Sequence, residues 1–577
     1  MNISRCGSFS CRSYVLFTSH KIELARSISV RVRFAPSPTG FMHLGGLRTA
    51  LFNKLFAVKH SGKFILRIED TDKSRLQPYA QEDIIESLNW CGLIPDEGPF
   101  VGGDYGSYIQ SERKSLYSTV AQKLINEGFA YRCFCSPERL AVLRNEQSRR
   151  NEPQRYDNRC RNLSEKEIEK NLSSGLPYTI RFKTDHSPVA VNDIIFGNSV
   201  FPSSNIDGDF IIMKSDGMPV YHLANVVDDH YMEISHVIRG VEWLTSTPKH
   251  LLLYKALNWS PPQFAHLPLL LSSSGGKLSK RSPEFSLIGN VLSLRKAGYL
   301  PTAVLNWLTS TGGAVHQNAE NTTDSNGNYS DSWNPELQFS ELVSQFDLTN
   351  VNRHNAQLSV DLLKICSRLH FDKAVDTALD YCITYQHQNG QAMYKTPHIL
   401  NTIGEYLQLN AGTSFPKSNC IQDDIRMLKR LHLLKGRIHC LKELTTTDNG
   451  FLFIWNPPDP VVCQKDIINS HLVKISLEDI LRVFEYFVEE MNCIPSDVST
   501  NLTSSTIATY LQNVCCRSGV KRNIVMHLIR SGLIGSEVGS PVVELIQLLS
   551  VSESIDRISK LHNVLSLNQG HQSNEAV

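Results

Sequence analysis

Two segments far apart in the chain constrain its fold more than any other feature. The first, Arg33-Phe34-Ala35-Pro36-Ser37-Pro38-Thr39-Gly40-Phe41-Met42-His43-Leu44-Gly45-Gly46, leaves a short β-prone run (Val30 to Phe34) and enters an apolar, helix-prone run (Leu47 to Val58). A His and two glycines at that junction let backbone approach phosphate closely and aim helix N–H groups at it. The second, Lys277-Leu278-Ser279-Lys280-Arg281, gathers two ammonium groups and a guanidinium beside Gly275 and Gly276. A basic loop of that kind covers a triphosphate and offsets charge developing on it. In this order, the two describe opposite sides of one ATP site.

Phe64-Ile65-Leu66-Arg67-Ile68 reads as a second strand ending in acids, so the start of the chain is strand–helix–strand with ligand groups at strand ends. That is the doubly wound α/β pattern. A charged helix (Pro137 to Arg150) and strand-like runs such as Tyr178 to Phe182 interrupt it before it resumes near Ile211. From Leu342 onward apolar residues fall at helical spacing, as in Asp361 to Leu369, Ser476 to Met491 and Ser505 to Val514.

The two opening segments resemble the HIGH and KMSKS signatures of class I aminoacyl-tRNA synthetases. Arg67-Ile68-Glu69-Asp70-Thr71-Asp72 follows the first. Tyr221-His222-Leu223-Ala224-Asn225-Val226-Val227-Asp228-Asp229-His230 and Val237-Ile238-Arg239-Gly240-Val241-Glu242-Trp243 precede the second. These blocks narrow the likeness to glutamyl-tRNA synthetases of the bacterial and organellar type. The resemblance implies a Rossmann-type catalytic domain with an α+β insertion for the tRNA acceptor end, then an all-α anticodon-binding region. The expected divisions are 30–130 and 211–260 for the catalytic halves, 131–210 for the insertion, 261–350 for a stem-contact region and 351–577 for the helical region.

The resemblance also assigns roles. His43, Lys277 and Lys280 are the implied catalytic groups. His43, Gly45, Gly46, Glu242, Trp243 and Lys277, Leu278, Ser279, Lys280, Arg281 would hold ATP, with Mg2+ arriving on the nucleotide. Arg33 and Arg239 would hold the glutamate side-chain carboxylate, a pairing that suits guanidinium geometry. Glu69 would meet the substrate ammonium, with Phe34, Ala35, Ser37, Tyr221, His222, Leu223, Ala224 and Asn225 around the same pocket. Asp70, Asp72, Asp228 and Asp229 are read as orienting groups rather than a metal cage. Cys133, Cys135 and Cys160 fall where some bacterial relatives bind zinc, but the expected fourth ligand is Asn162. A structural zinc normally closes with four Cys or His ligands; Tyr156 or a His from elsewhere in the chain is the alternative fourth group, and no metal is expected. Arg437, Lys521, Arg522 and Arg530 are candidates for tRNA contact.

A chain of 577 residues holds several domains. Its formal net charge of +1 gives no bulk drive toward nucleic acid, so RNA binding needs local basic surfaces. No stretch is apolar enough for a membrane span. The 14 cysteines form no short disulfide framework. Residues 1–29 carry Arg5, Arg12, Lys21 and Arg26 against Glu23, with frequent serines. That composition fits a mitochondrial presequence, and a matrix location is expected. The polar stretch 312–335 receives no role. The reading is therefore a glutamate–tRNA ligase acting as a monomer on L-glutamate, ATP and the glutamate tRNA. Whether it also charges the glutamine tRNA stays open. Glutaminyl-tRNA synthetase is disfavoured by the missing β-barrel pattern. A degenerate, RNA-binding copy is disfavoured because His43, Glu69, Arg239, Lys277 and Lys280 are all present.

Overall fold

The structure, a computed structural model, describes residues 29–185, 187–202, 208–272, 289–310, 312–315, 334–387, 394–411, 420–446, 451–469, 475–494, 503–536 and 538–572. The expected presequence, the basic loop from Lys277 to Arg281 and most of the polar stretch 312–335 lie outside these residues.

Strand β1 (Arg31–Phe34) is buried along its whole length, as a central parallel strand must be. Helix α1 (Leu44–Lys59) follows and buries Leu44, Leu47, Leu51, Phe52, Leu55 and Phe56. It is covered on one side by the sheet and on the other by helices Pro301–Ser310 and Phe339–Gln345. That double cover explains why its apolar residues run round the helix rather than along one face. Strand β2 (Lys63–Leu66) returns parallel to β1, with Arg33 opposite Ile65. Helix α2 (Ala80–Trp90) and helix α3 (Lys114–Asn126) lead into the insertion.

The insertion is an antiparallel sheet of β3 (Ala130–Cys133), β4 (Thr179–Phe182) and, further along the chain, β7 (Ile211–Met213), in the order β3-β4-β7. Helices α4 (Pro137–Arg149) and α5 (Glu165–Ser173) lie between β3 and β4. Buried Asp209 ties it together: it accepts from Tyr131 Oη at 2.8 Å, Arg161 Nη1 at 2.8 Å and the Thr184 amide at 2.9 Å.

The expected boundaries of the insertion are corrected at both ends. The hairpin β5 (Val189–Asp193) and β6 (Gly197–Phe201), placed in the insertion by sequence, belongs to the main sheet. Conversely, β7 falls in the expected second catalytic half but pairs with β4. The reason is that an α+β excursion leaves and re-enters the main sheet more than once, and local pattern does not say which sheet a short strand joins.

Helix α6 (Tyr221–Tyr231), β8 (His236–Gly240), helix α7 (Thr247–Ala256) and β9 (Gln263–Leu267) complete the catalytic core. The main sheet runs β2-β1-β8-β9-β5-β6, parallel throughout except for edge strand β6. After β1 the chain goes outward to β2, then comes back to the other side of β1 as β8. Ligands bind in α/β sheets at such a reversal, outside the carboxyl ends of the strands. Arg33 and Arg239 lie near those ends of β1 and β8.

Beyond the catalytic core the described chain is helical, as expected, apart from the two-residue strand Ala356–Gln357, which pairs in parallel with Leu270–Leu271. Helix Val360–His387 packs against Pro301–Ser310 and Ile421–His432, and the end of the chain is a bundle that includes Leu477–Asn492, Ser504–Ser518, Arg522–Ile534 and Val551–Gln572. Among the described residues no helix is long and apolar enough to cross a membrane. Trp307 joins the core to the helical region: its ring is fully buried and its Nε1–H donates to the Ser359 carbonyl at 2.8 Å. Trp307→Ala should destabilise the chain by about 3–5 kcal/mol, read as a lower urea midpoint.

Candidate active site

The first motif is held by backbone pairing. The amides of Arg67 and Glu69 donate to the carbonyls of Phe34 and Pro36 at 3.0 Å each, so the Pro-rich loop runs beside the acidic end of β2. Asp83 accepts from the Met42 amide at 2.7 Å and fixes the far end of the loop. His43 is the N-cap of α1, its Nδ1 accepting from the Gly46 amide at 3.0 Å. A neutral imidazole accepting at Nδ1 carries its proton on Nε2, the donor a phosphate needs. The structural hydrogen bond thus sets the tautomer for a phosphate contact. A Cβ at Gly45 would lie 3.1 Å from the His43 ring, so that position must stay bare for the imidazole to sit there.

Beneath the loop is a buried charge network. Arg67, with no solvent exposure, donates to Asp229 Oδ1 at 2.7 Å and Glu69 Oε1 at 3.1 Å. Arg33 Nε donates to the same Asp229 oxygen at 3.0 Å. Asp228 accepts from Arg113 Nε at 2.7 Å, Gln110 Nε2 at 2.8 Å and Tyr117 Oη at 2.8 Å. Burial pushes the Asp229 carboxyl up, but Arg33 and Arg67 outweigh it and hold it below the usual carboxylate range. Asp70 accepts from the Ser111 amide and hydroxyl, and Asp72 caps a short turn through Ser74. These four acids orient arginines and loops.

Some donors and acceptors in this network lack protein partners among the described residues. Glu69 Oε1 accepts from Arg67 and from Asn225 Nδ2 at 3.1 Å, whereas Oε2 accepts from nothing. Burial raises the Glu69 carboxyl above its ordinary value, and Arg67 and Arg33 only partly oppose it. An incoming ammonium would complete its shell. Arg33 uses Nε and Nη2 on Asp229 and leaves Nη1 unpaired. Tyr221 Oη accepts from Arg239 Nη1 at 3.0 Å and keeps its own proton to donate. Arg239, Glu69 and Arg33 all lie close enough to act electrostatically on that phenol.

Arg239 is buried, and its partners are neutral: Tyr221, Thr247 Oγ1 at 2.9 Å, the Trp243 carbonyl at 3.3 Å, His266 Nε2 at 3.1 Å and His250 Nδ1 at 3.4 Å. No described carboxylate contacts it. Its N–H groups are largely taken up, which leaves Tyr221 and Arg33 Nη1 as the open donors beside its charge. Trp243 is exposed and packs on the Tyr221 ring at 4.2 Å, and Glu242 is exposed next to it. Ser37 is exposed and Ala35 half-buried. Phe34, Leu223 and Ala224 place their side chains in hydrophobic cores, while His222 is half-buried and contacts His250 at 3.2 Å.

Cys133, Cys135 and Cys160 come together, with sulfurs within 4.8 Å of one another. Asn162 is not the fourth group there; Tyr156 is. Its hydroxyl lies 3.3 Å from Cys133 Sγ and 3.5 Å from Cys135 Sγ, and Cys135 and Cys160 sulfurs are 3.6 Å apart. A tetrahedral zinc with Zn–S of about 2.3 Å has edges of about 3.8 Å. The three thiols meet that spacing, and the Tyr156 hydroxyl, rather than a fourth Cys or His, stands at the remaining position.

In the helical region Arg437 and Arg530 meet at one loop. Arg437 Nη1 donates to Ser540 Oγ at 3.2 Å and Nη2 pairs with Glu544 at 2.5 Å; Arg530 Nε donates to the Ser540 carbonyl at 3.2 Å. Lys521 and Arg522 are exposed at the start of helix Arg522–Ile534. Sequence reading missed the hub role of Arg67 and the polar residues around Arg239. Their one signal was a polar residue inside an otherwise apolar strand, as with His266 in β9.

A parallel sheet with this crevice, insertion and helical tail is the architecture of a class I tRNA synthetase. Residues 29–352 match the family model described as tRNA synthetases class I (E and Q), catalytic domain, and residues 400–562 match an anticodon binding domain. The chain is 35% identical to a glutamate–tRNA ligase of Treponema denticola over 92% of its own length and 99% of the relative's. It is 33% identical to that of Borreliella burgdorferi over 94% and 100%. A crystal structure of a glutamate tRNA ligase from Elizabethkingia meningosepticum in complex with its amino acid superposes with a TM-score of 0.67 at 31% identity, covering 93% of this chain and all of that one. The chain belongs to the glutamate–tRNA ligase family.

Elemental analysis of the purified chain should find about one zinc per molecule, lost in Cys160→Ser. A metal-free wild type with an intact fold would contradict the fit.

Proposed function

We propose that this chain activates L-glutamate with ATP and transfers it to the 3′ end of the glutamate tRNA. The observation that carries the reading is the pocket at the β1/β8 reversal, where among the described residues Glu69 Oε2 and Arg33 Nη1 have no protein partner and the Tyr221 hydroxyl, which accepts from Arg239, keeps its own proton to donate, beside a guanidinium with no contacting carboxylate. Glu69 suits the substrate ammonium; Arg33, Tyr221 and the charge of Arg239 suit its side-chain carboxylate. The α-carboxylate then attacks the α-phosphate of ATP, and pyrophosphate leaves. A terminal ribose hydroxyl of tRNA next attacks the glutamyl-adenylate, and AMP leaves. Positioning and charge stabilisation suffice for both steps. His43 and the N-terminus of α1 face the phosphates in this reading, and the resemblance assigns Lys277 and Lys280, which lie outside the described residues, to the triphosphate with its Mg2+. Zinc bound by Cys133, Cys135, Cys160 and Tyr156 would serve as a structural tie at the base of the acceptor-end insertion.

Arg437, Arg530, Lys521 and Arg522 are the proposed anticodon-side contacts, and the enzyme works as a monomer in the mitochondrial matrix. The support for that location is the basic, Ser-rich composition of residues 1–29.

The test is aminoacylation by the chain lacking residues 1–29, with radiolabelled glutamate and transcripts of the glutamate and glutamine tRNAs. Charging of the glutamate tRNA is expected. Charging of both would make the enzyme non-discriminating. RNA binding without charging of either would overturn the enzymatic reading.

A further inference from the structure

A chain of buried polar groups runs from β5, beside the edge strand of the main sheet, to the amino-acid pocket. Asp193, at the end of β5, is 2% exposed, and its Oδ1 accepts from the amides of Ile195 at 3.0 Å, Phe196 at 2.9 Å and His266 at 3.4 Å. Its Oδ2 lies 2.6 Å from His266 Nδ1. His266 is fully buried on β9, in direct register with Arg239 on β8. Arg239 Nε donates to His266 Nε2, and Arg239 Nη1 donates to Tyr221.

The direction of every bond in this chain is determined. Asp193 only accepts, so His266 carries its proton on Nδ1 and presents a bare Nε2. Arg239 only donates, so it requires that bare nitrogen. Burial, reinforced by Arg239 and opposed by Asp193, keeps His266 below its ordinary value and therefore neutral. A neutral ring next to Arg239 leaves the guanidinium charge uncancelled.

We propose that Asp193 and His266 are positioning residues for amino-acid recognition: they fix the histidine tautomer that holds Arg239, and through Arg239 they aim the Tyr221 hydroxyl at the substrate carboxylate. The proposal rests on the glutamate-pocket reading above. It also gives the β5–β6 hairpin a role in amino-acid selection, since the relay starts there.

Asp193→Asn tests it without changing shape. Three amides need an oxygen at the Oδ1 position, so the new NH2 must face His266 Nδ1. That forces the ring proton onto Nε2, directly against Arg239 Nε–H, a donor-to-donor clash in a buried site. The same logic underlies the loss caused by an amide at the acid of a Ser-His-Asp triad. Asp193→Asn should raise the KM for glutamate in pyrophosphate exchange by about tenfold or more, with the KM for ATP unchanged. His266→Gln supplies the second arm, because a glutamine oxygen can accept from Arg239 whatever Asp193 offers. Adding Asp193→Asn to His266→Gln should then cost nothing further.

Additive effects in that cycle, or an unchanged glutamate KM in Asp193→Asn, would overturn the relay while leaving the pocket reading intact. Arg239→Ala separates the two: a raised glutamate KM is expected, and no change would overturn the pocket reading together with the relay.

Discussion

Burying several guanidinium groups at the carboxyl ends of two parallel strands is the constraint on which the rest of this catalytic core depends. Taking such charges out of water costs several kcal/mol each unless partners replace the solvent. Asp229 meets Arg33 and Arg67, and Asp228 meets Arg113. These partners sit on α6, which explains why that helix must lie across the strand ends and why its sequence pairs two acids with an asparagine one turn and a tyrosine two turns earlier. Arg239 is the exception: it is surrounded by neutral acceptors. A buried cation left in that state is a site for an anion, and the fold supplies the ammonium counterpart, Glu69, in the same pocket.

The same economy appears on the nucleotide side. His43 ends the Pro-rich loop, caps α1 and fixes its own tautomer in one hydrogen bond. The loop is held by backbone bonds to the residues that carry Glu69, so the amino-acid and nucleotide sides share one rigid element. The insertion has its own polar centre at Asp209 and its own thiol–phenol cluster, and the main sheet passes beside it through the β5–β6 hairpin. Amino-acid selection, in the proposed relay, reaches as far as that hairpin.

Much of this was legible in the sequence where chemistry is local. The turn from Pro36 to Gly46, the acids after β2 and the paired aspartates on α6 are contiguous and could be read from residue type and spacing. The helical character beyond Leu342 was equally plain from its periodicity. What stayed hidden depends on strands meeting from distant parts of the chain. Asp193 and His266 are far apart in sequence and become neighbours only because β5 pairs with β9. Tyr156 was legible only as one candidate to replace Asn162, and its contact with the cysteines is set by the loop that carries Cys160. The assignment of β5, β6 and β7 to sheets failed for the same reason, since strands of three to five residues carry no record of their partners.

The central claim is that an uncompensated buried guanidinium, aligned by neutral groups, selects a carboxylate side chain. The most direct test is pyrophosphate exchange by the purified enzyme, in the presence of tRNA, with glutamate and glutamine compared as substrates. The pocket described here predicts a kcat/KM for glutamate about ten-thousand-fold or more above that for glutamine, because the amide would leave the charge unpaired and set donor against donor. Comparable values for the two amino acids would contradict it.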